Sequence, residues 1–158
     1  MATSTISLDA AGFSSALNDL ADHVRGEVSA VIRKACIDLY RRIVERTPRD
    51  TGRARASWQL STTGQGSNVW QNRGTPGVLN SAASASDIAN NINQNVSEFK
   101  VDIHTDTVTI YNNLEYISIL EAGRQGNRGS LQAPTGMVAI SLSEFEQHFR
   151  NALAGMNL

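Results

Sequence analysis

The sequence predicts a single α+β domain over residues 1–158, in which a long N-terminal helix and a C-terminal helix pack on a small antiparallel sheet with a long inserted loop. Three observations predict it. Apolar residues recur at helical spacing at both ends of the chain, short alternating segments lie between them, and a long polar stretch interrupts the middle. A chain of 158 residues has an ordinary size for one domain with one core.

The N-terminal helix is predicted from the apolar residues that recur every three or four positions from Phe13 to Val44. Such steps place the residues on one face of a helix. Gly26 is unfavourable in a helix interior, so we expect a bend or a boundary between two helices there. Thr47 precedes Pro48 and is therefore disfavoured in helical geometry, which predicts that the helix ends near Arg46.

The segment after this helix predicts a turn and then a strand or a short helix over residues 54–60. A polar loop follows over residues 61–86, and loops of that length are usually functional or flexible. Trp70 lies in its middle. It either folds back on the core of its own chain or docks on a neighbouring molecule, since aromatic anchors are enriched at interfaces. Ser86 and Asp87 then predict the cap of a short helix.

The second half of the chain predicts a hairpin and a final helix. Apolar and polar residues alternate over residues 99–103 and again over 108–110, which is typical of two paired strands. Residues 124–130 form a second polar loop that contains glycine. Apolar residues at helical spacing from Val138 to Leu153 predict the C-terminal helix, with Pro134 near its start.

Composition limits the class of protein. Hydrophobic residues make up 41% of the chain, charged residues 18%, and the formal net charge is -1, so the whole chain is not a general nucleic-acid binder. The single cysteine, Cys36, excludes an intrachain disulfide and suits a reducing compartment. The polar start of the chain lacks the pattern of a signal peptide, and no apolar run is long enough to span a membrane. We therefore expect a cytoplasmic product without a membrane anchor.

One short motif suggests an enzyme. Asp50-Thr51-Gly52 matches the turn of aspartic proteases, in which two such turns bring two aspartates together to share a proton. A single copy would require a homodimer, and a homodimeric hydrolase using Asp50 is one alternative function. The nearby arginines oppose it, because they favour the charged carboxylate. The competing interpretation is a structural turn in which the Asp50 carboxylate accepts hydrogen bonds.

Other chemistry has little support in the sequence. No histidine has a second histidine or the cysteine at metal-ligand spacing, and the three are His23, His104 and His148. Asp102, His104 and Asp106 alternate, and a solvated polar face explains them better than a metal site. Cys36 beside the apolar stripe is typical of a buried thiol. We expect no catalytic residue, no metal and no cofactor, and hence not an enzyme.

Charge is divided unevenly along the chain. Between Arg33 and Arg55, eight basic residues stand against three acidic ones, a net of +5, which leaves −6 for the rest of a chain whose total is -1. A solvated helix face with internal ion pairs explains this pattern. So does a subunit with one basic and one acidic side, which associates head-to-tail. A third interpretation is a basic surface for DNA phosphates, as in a DNA-binding accessory protein.

Three segments of the chain resemble the tail-completion and neck proteins of lambda-like tailed bacteriophages. The first carries Pro48, then Asp50-Thr51-Gly52-Arg53, then Arg55 and Trp58. The second runs from Ile110 through Asn112, Asn113 and Tyr116 to Glu121-Ala122-Gly123, and the third is the segment that begins at Gln132-Ala133-Pro134. Their order and approximate spacing also match, and the resemblance covers roughly residues 10–149.

The resemblance implies a tail-terminator-like α+β fold and a structural role in the virion. Proteins of this kind form rings, commonly hexamers, that cap the tail tube and join it to the connector. The implied partners are further copies of the chain, a connector, adaptor or stopper protein on the head side, and the tail tube protein on the other, with DNA passing through the lumen. Assembly would take place in the cytoplasm of the bacterial host, without a membrane.

The resemblance and the loops together give the candidate structural and interface residues. We also expect Arg53 or Arg55 to pair with Glu121, within or between subunits, because a guanidinium binds a carboxylate in two places. Gly52 is expected to adopt a backbone conformation that other residues avoid. The full set of candidates is Asp50, Thr51, Gly52, Arg53, Arg55, Trp58, Trp70, Asn112, Asn113, Tyr116, Glu121, Gly123, Gln132 and Pro134.

Overall fold

A computed structural model describes residues 10–67, 82–101, 107–127 and 129–154. It confirms an α+β architecture, with helices around a two-stranded antiparallel sheet. In chain order the elements of these residues are α1 Ala10–Arg46, α2 Arg53–Ala56, β1 Trp58–Ser61, α3 Ala85–Glu98, β2 Thr109–Asn112, α4 Ile117–Glu121 and α5 Val138–Ala154. None of the described helices combines the length and apolarity that a membrane span needs.

Helix α1 ends at Arg46, as predicted. The next residue terminates it, because the Thr47 hydroxyl donates to the carbonyl oxygen of Ile43 at 2.7 Å and Pro48 follows. The predicted helix boundary at Gly26 is wrong, since the helix is continuous over 37 residues. We refer below to residues 10–30 as the N-terminal half of α1 and to residues 31–46 as its C-terminal half.

The sheet gives β2 a partner that the sequence did not predict. Strand β2 pairs with β1, with Trp58 opposite Asn112 and Ser61 opposite Thr109. The predicted hairpin falls largely on residues 102–106, which lie outside the described residues. Phe99 instead caps α3, where its backbone N–H donates to the carbonyl oxygen of Asn95 and its side chain is buried in the core. The first residue of the alternating pattern is therefore a buried helix cap. Ile103 lies outside the described residues.

Both alternatives for residues 54–60 are realised in succession, because the short helix α2 leads directly into β1. The cap of α3 lies two residues before the predicted one. Ser84 is the N-cap, and its side chain accepts from the N–H of Asp87 at 3.1 Å, while Asp87 accepts from the N–H of Ser84 at 2.9 Å. The Ser84 hydroxyl, which donates to the Asp87 carboxylate at 2.6 Å, and the N–H of Ser84 lower the pKa of Asp87. The arrangement is a capping box, so Asp87 serves as its third helical residue.

The core lies between the C-terminal half of α1, the sheet, and the ends of α3 and α5. Helix α5 runs antiparallel to α1, because Arg46 binds Ser141 while the earlier residue Arg42 binds the later residue Glu144. The buried cluster consists of Ile37, Tyr40, Ile43, Val44, Trp58, Leu60, Phe99 and Met137. The predicted long loop lies between β1 and α3 in the chain, and its residues 68–81, including Trp70, lie outside the described residues.

Candidate functional site where three segments meet

The three segments that resemble phage neck proteins meet at the C-terminal end of α1. They surround a cleft of about 430 Å³, and residues of each segment line it: Pro48, Asp50 and Arg53, then Tyr116 and Leu120, then Gln132. The first and third of these segments are more than 80 residues apart in the chain, as the Arg49 to Gln132 separation of 83 shows. The fold brings these segments together, which their order in the sequence alone does not predict.

Gln132 joins the third segment to the first. Its side-chain oxygen accepts from the backbone N–H of Arg49 at 2.7 Å, and its side-chain nitrogen donates to the carbonyl oxygen of Arg49 at 3.2 Å. A side-chain amide offers one acceptor and two donors, so it can bind a backbone as a neighbouring strand would. Gln132 therefore holds the turn after α1 in place.

Asn112 and Asn113 join the second segment to two different parts of the chain. Asn112 donates to the carbonyl oxygen of Ala54 at 2.9 Å and accepts from the N–H of Leu114 at 3.1 Å, so it fixes α2 against the end of β2. Asn113 donates to the carbonyl oxygen of Gly66 at 2.7 Å. That bond holds the beginning of the long loop.

Glu121 joins the second segment to α5. Its carboxylate accepts from three consecutive backbone N–H groups, those of Met137 at 3.0 Å, Val138 at 2.8 Å and Ala139 at 2.9 Å. The first N–H groups of a helix have no partner within it, and a negative charge there is favourable. These three N–H groups are the partners that one chain gives to Glu121, and its pairing with Arg53 or Arg55 between subunits stays a prediction.

Two glycines let the second and third segments approach closely. Gly123 has a φ of 73°, and an added Cβ would collide with the carbonyl oxygen of Pro134. The same oxygen accepts from the N–H of Arg124 at 2.8 Å. Gly136 has a φ of 78°, and a Cβ there would collide with the backbone oxygen of Glu121. Both positions combine a left-handed backbone with backbone-to-backbone contact, which glycine alone accommodates without strain.

Arg55 caps the C-terminal end of α1. Its guanidinium donates to the carbonyl oxygens of Thr47 at 2.6 Å and Glu45 at 2.9 Å. Partial burial lowers the pKa of Arg55, and the charge of Arg49 lowers it further. Carbonyls at a helix end lack partners within the helix, and a cation stabilises them. The sequence does carry a signal for this role, because the arginine lies a few residues after a helix that ends at a proline.

Trp58 and Thr47 form a buried pair beneath this cap. The indole N–H donates to the Thr47 hydroxyl at 2.8 Å, and both residues are buried. The Thr47 hydroxyl in turn donates to Ile43. Trp58 is therefore a core residue that links β1 to the end of α1, and in this chain it is not part of an exposed surface.

The Asp50-Thr51-Gly52 turn carries the predicted left-handed residue. Gly52 has a φ of 78°, which confirms the expectation for this position, and an added Cβ would collide with the carbonyl oxygen of Ala83. The backbone of Thr51 accepts from the N–H of Ala83 at 2.7 Å. The turn thus binds the residues that precede α3.

Asp50 is exposed and lies on the wall of the cleft with Arg53 and Tyr116. Burial raises the pKa of Tyr116, the positive charge of Arg53 lowers it, and the negative charge of Asp50 raises it. Among the described residues that line the cleft, Asp50 supplies the one carboxylate. A proton-sharing pair of aspartates would therefore need a second chain to bring its partner.

The basic segment from Arg33 to Arg55 is largely engaged inside the chain. Arg33 donates to the carbonyl oxygens of Phe99 and Val96, both at 3.0 Å, and so caps the C-terminal end of α3. Arg42 and Arg46 form ion pairs with Glu144 at 2.9 and 2.7 Å, and Lys34 pairs with Asp38. With Arg55, which caps α1, four of the eight cations hold helix ends or helix pairs, and Lys34 is paired within α1. This pattern favours the interpretation of internal pairing over a continuous surface for phosphates.

The sequence analysis did not predict a buried group of polar side chains around Tyr40. Tyr40 is 0% exposed, and its hydroxyl donates to the carbonyl oxygen of Trp58 at 3.2 Å while accepting from Asn95 at 3.2 Å. Burial raises the pKa of Tyr40, and the hydrogen bond from Asn95 opposes that shift. Asn95 also accepts from the N–H of Leu60 at 3.3 Å. Two asparagines at i and i+4 on the short helix, Asn91 and Asn95, were the signal, since both reach the same hydroxyl.

The described ranges contain no group of three His, Cys, Asp or Glu side chains placed to hold a metal ion. The alternating residues Asp102, His104 and Asp106 lie outside these ranges. Burial raises the pKa of Cys36, which disfavours the thiolate that a nucleophile needs.

Comparison of the chain with protein-family models, with curated proteins and with solved structures gives no match.

Proposed function

We propose that this chain is a structural subunit of the neck of a tailed bacteriophage, where copies of it form a ring at the head–tail junction. In this role the ring, expected to contain six copies, caps the tail tube and joins it to the connector, adaptor or stopper protein of the head. DNA would pass through its lumen.

The observation that carries the proposal is what the motif residues do. Three segments that resemble neck proteins converge at one place, and their polar side chains bind backbone rather than each other. Gln132 holds a turn, Asn112 holds α2, and Glu121 and Arg55 cap two helices. Residues that bind the backbone in this way stabilise the fold. Proteins of one family can share such residues because they share an architecture, and they need not share a reaction.

The alternatives receive less support from the same geometry. A hydrolase built on Asp50 needs a second carboxylate, and the cleft of one chain supplies a guanidinium and a phenol beside Asp50 instead. A DNA-binding accessory protein needs a run of accessible cations, whereas Arg33, Arg46 and Arg55 bind carbonyls or a carboxylate of their own chain.

The first test is the mass of the purified full chain in solution over a wide range of concentration. A ring predicts a discrete species at a whole-number multiple of 17.1 kDa, with six as the expected multiple, and annular particles by electron microscopy. A chain that remains at 17.1 kDa at every concentration, alone and with purified tail tubes, would contradict the proposal.

The second test is electron microscopy of virions produced without this protein. Free tails of abnormal length beside filled heads would indicate that the ring caps the tail tube. Tails of normal length beside filled heads would indicate a joining role. Normal, infectious virions would contradict both.

A further inference from the structure

Helix α3 lies along the outer edge of β1, the edge that faces away from β2. The backbone N–H of Leu60 donates to the side-chain oxygen of Asn95 at 3.3 Å. The carbonyl oxygen of Trp58 accepts from the side-chain nitrogen of Asn91 at 3.0 Å. Residues two apart in a strand direct their backbone groups to the same edge, so these are the groups that a third strand would bind.

The spacing of the two asparagines matches the spacing of the strand. Four residues of an α-helix rise about 6 Å, and two residues of a strand rise about 6.5–7 Å. Asn91 and Asn95 therefore reach Trp58 and Leu60 at the same time. A side-chain amide has the same kinds of donor and acceptor as a peptide group, so two of them replace a short segment of strand.

The two asparagines occupy the face of α3 that packs on the core. Ile88, Ile92 and Val96 share that face and pack against the buried cluster, and Asn95 is only 8% exposed. Burial of an amide is unfavourable unless it is hydrogen-bonded, and asparagine forms helices less readily than alanine or leucine. Both effects disfavour asparagine at these positions, whereas the hydrogen bonds to β1 favour it.

Tyr40 fixes the pair from α1. Its hydroxyl donates to the carbonyl oxygen of Trp58 at 3.2 Å and accepts from the side-chain nitrogen of Asn95 at 3.2 Å. The same nitrogen also donates to the carbonyl oxygen of Asn91 at 2.8 Å. With its nitrogen bound twice, the amide of Asn95 is held with its oxygen toward Leu60.

We infer that α3 serves as a surrogate third strand, in which Asn91 and Asn95 close the outer edge of β1 against strand pairing with a second copy of the chain. In the part of the chain that the structure describes, β2 is the one strand that pairs with β1. An edge strand with unpaired backbone groups is a template for intermolecular pairing, and covering it with a helix prevents this. The inference is independent of the proposed ring, since it concerns the surface through which copies do not associate.

The test removes the two amides from the full chain. Asn91→Ala and Asn95→Ala, singly and together, take away the side-chain groups that bind β1. Asn90→Ala and Asn93→Ala make the same change at exposed positions of the same helix. Alanine favours the helix at all four positions, so helix propensity does not explain a difference between them. Circular dichroism identifies the folded variants, hydrogen exchange at the Leu60 amide measures opening of the edge, and infrared spectroscopy detects intermolecular sheet.

We expect the Leu60 amide to exchange about tenfold faster in Asn95→Ala, because a buried donor loses its partner. Asn91→Ala should act less strongly, since Tyr40 still donates to the carbonyl oxygen of Trp58. The double variant should form intermolecular sheet as its concentration rises, while both controls behave as the unmodified chain does.

Two results would overturn the inference. The first is a folded Asn95→Ala variant whose Leu60 amide exchanges as slowly as in the unmodified chain. The second is a folded double variant that exchanges faster but forms no intermolecular sheet at any concentration. If the double variant does not fold, Asn95→Ala provides both measurements. Neither readout depends on particle mass, so failure of the ring and failure of this inference are distinguishable.

Discussion

The two halves of α1 share one helical period but differ in the burial of the side chains that the structure describes. In the C-terminal half, Ile37, Tyr40, Ile43 and Val44 are buried, and the helix end is held by Arg55. In the N-terminal half, no described side chain is buried. The apolar period therefore determines that the chain is helical, whereas the positions of α3 and α5 determine which turns are covered.

The comparison also separates two kinds of surface. Around the C-terminal half, polar groups find partners within the chain, and no buried side-chain polar atom of the described residues lacks one. The N-terminal half has apolar and charged groups that the same chain covers only in part. Substitutions in the first region should therefore lower the free energy of unfolding more than those in the second.

The largest expected effect is that of Gly136→Ala at the motif cluster. The left-handed backbone and the collision with the Glu121 carbonyl should together lower the free energy of unfolding by about 3 kcal/mol. Urea unfolding monitored by circular dichroism measures it. A loss below about 1 kcal/mol would mean that the second and third segments are not packed as closely as described.

Glu121→Gln should have an intermediate effect. The amide keeps one oxygen but loses the charge that binds the start of α5, so we expect a loss of about 1–2 kcal/mol in the free energy of unfolding. Glu146→Gln, at an exposed position of α5, serves as the control and should change it by less than about 0.5 kcal/mol. Equal effects of the two substitutions would refute the capping role of Glu121.

Gly26→Ala should have a smaller effect of the opposite sign. An added Cβ at Gly26 meets nothing within 4 Å, and the residue lies inside a continuous helix. Alanine should therefore raise the free energy of unfolding by up to about 1 kcal/mol, seen as a higher Tm. A lower Tm would show that this turn of the helix packs against another part of the protein. That result would contradict the low burial of the N-terminal half of α1.

The smallest expected effect concerns pH and the cap of α3. The pKa of Asp87 is lowered in the folded chain, so the carboxylate contributes stability above the pKa of the unfolded chain and loses it as the pH falls through the folded value. The Tm of the unmodified chain should therefore exceed that of Asp87→Asn at neutral pH, and the two should converge in acid. A Tm difference that stays constant with pH would exclude the carboxylate as the cause.

Much of the fold could be predicted because it depends on local chemistry. The apolar period predicted the two terminal helices, and Thr47-Pro48 predicted the end of α1. Gly52 was predicted to be left-handed from its turn sequence. The strand pairing was not predictable in the same way, because β1 and β2 are separated by the long loop and α3, and a local pattern does not identify a distant partner.

The candidate site shows the same limit. The residues of the cluster were identified, but their partners were not. The sequence analysis did not foresee that Glu121 binds the start of α5, whose first N–H groups have no partner within the helix. The Tyr40 centre was missed because its partners Asn91 and Asn95 lie on a helix whose packing the sequence did not indicate.

The long loop between β1 and α3 is anchored at both of its ends. Asn113 binds the carbonyl of Gly66 where the loop begins, and the carbonyl of Thr51 binds the N–H of Ala83 where it ends. The cost of closing a flexible chain grows only with the logarithm of its length, by about 0.6 kcal/mol for each doubling. We therefore expect a short insertion between the two anchors to leave the free energy of unfolding nearly unchanged, so that an affinity tag or fluorescent label placed there would report on the folded protein.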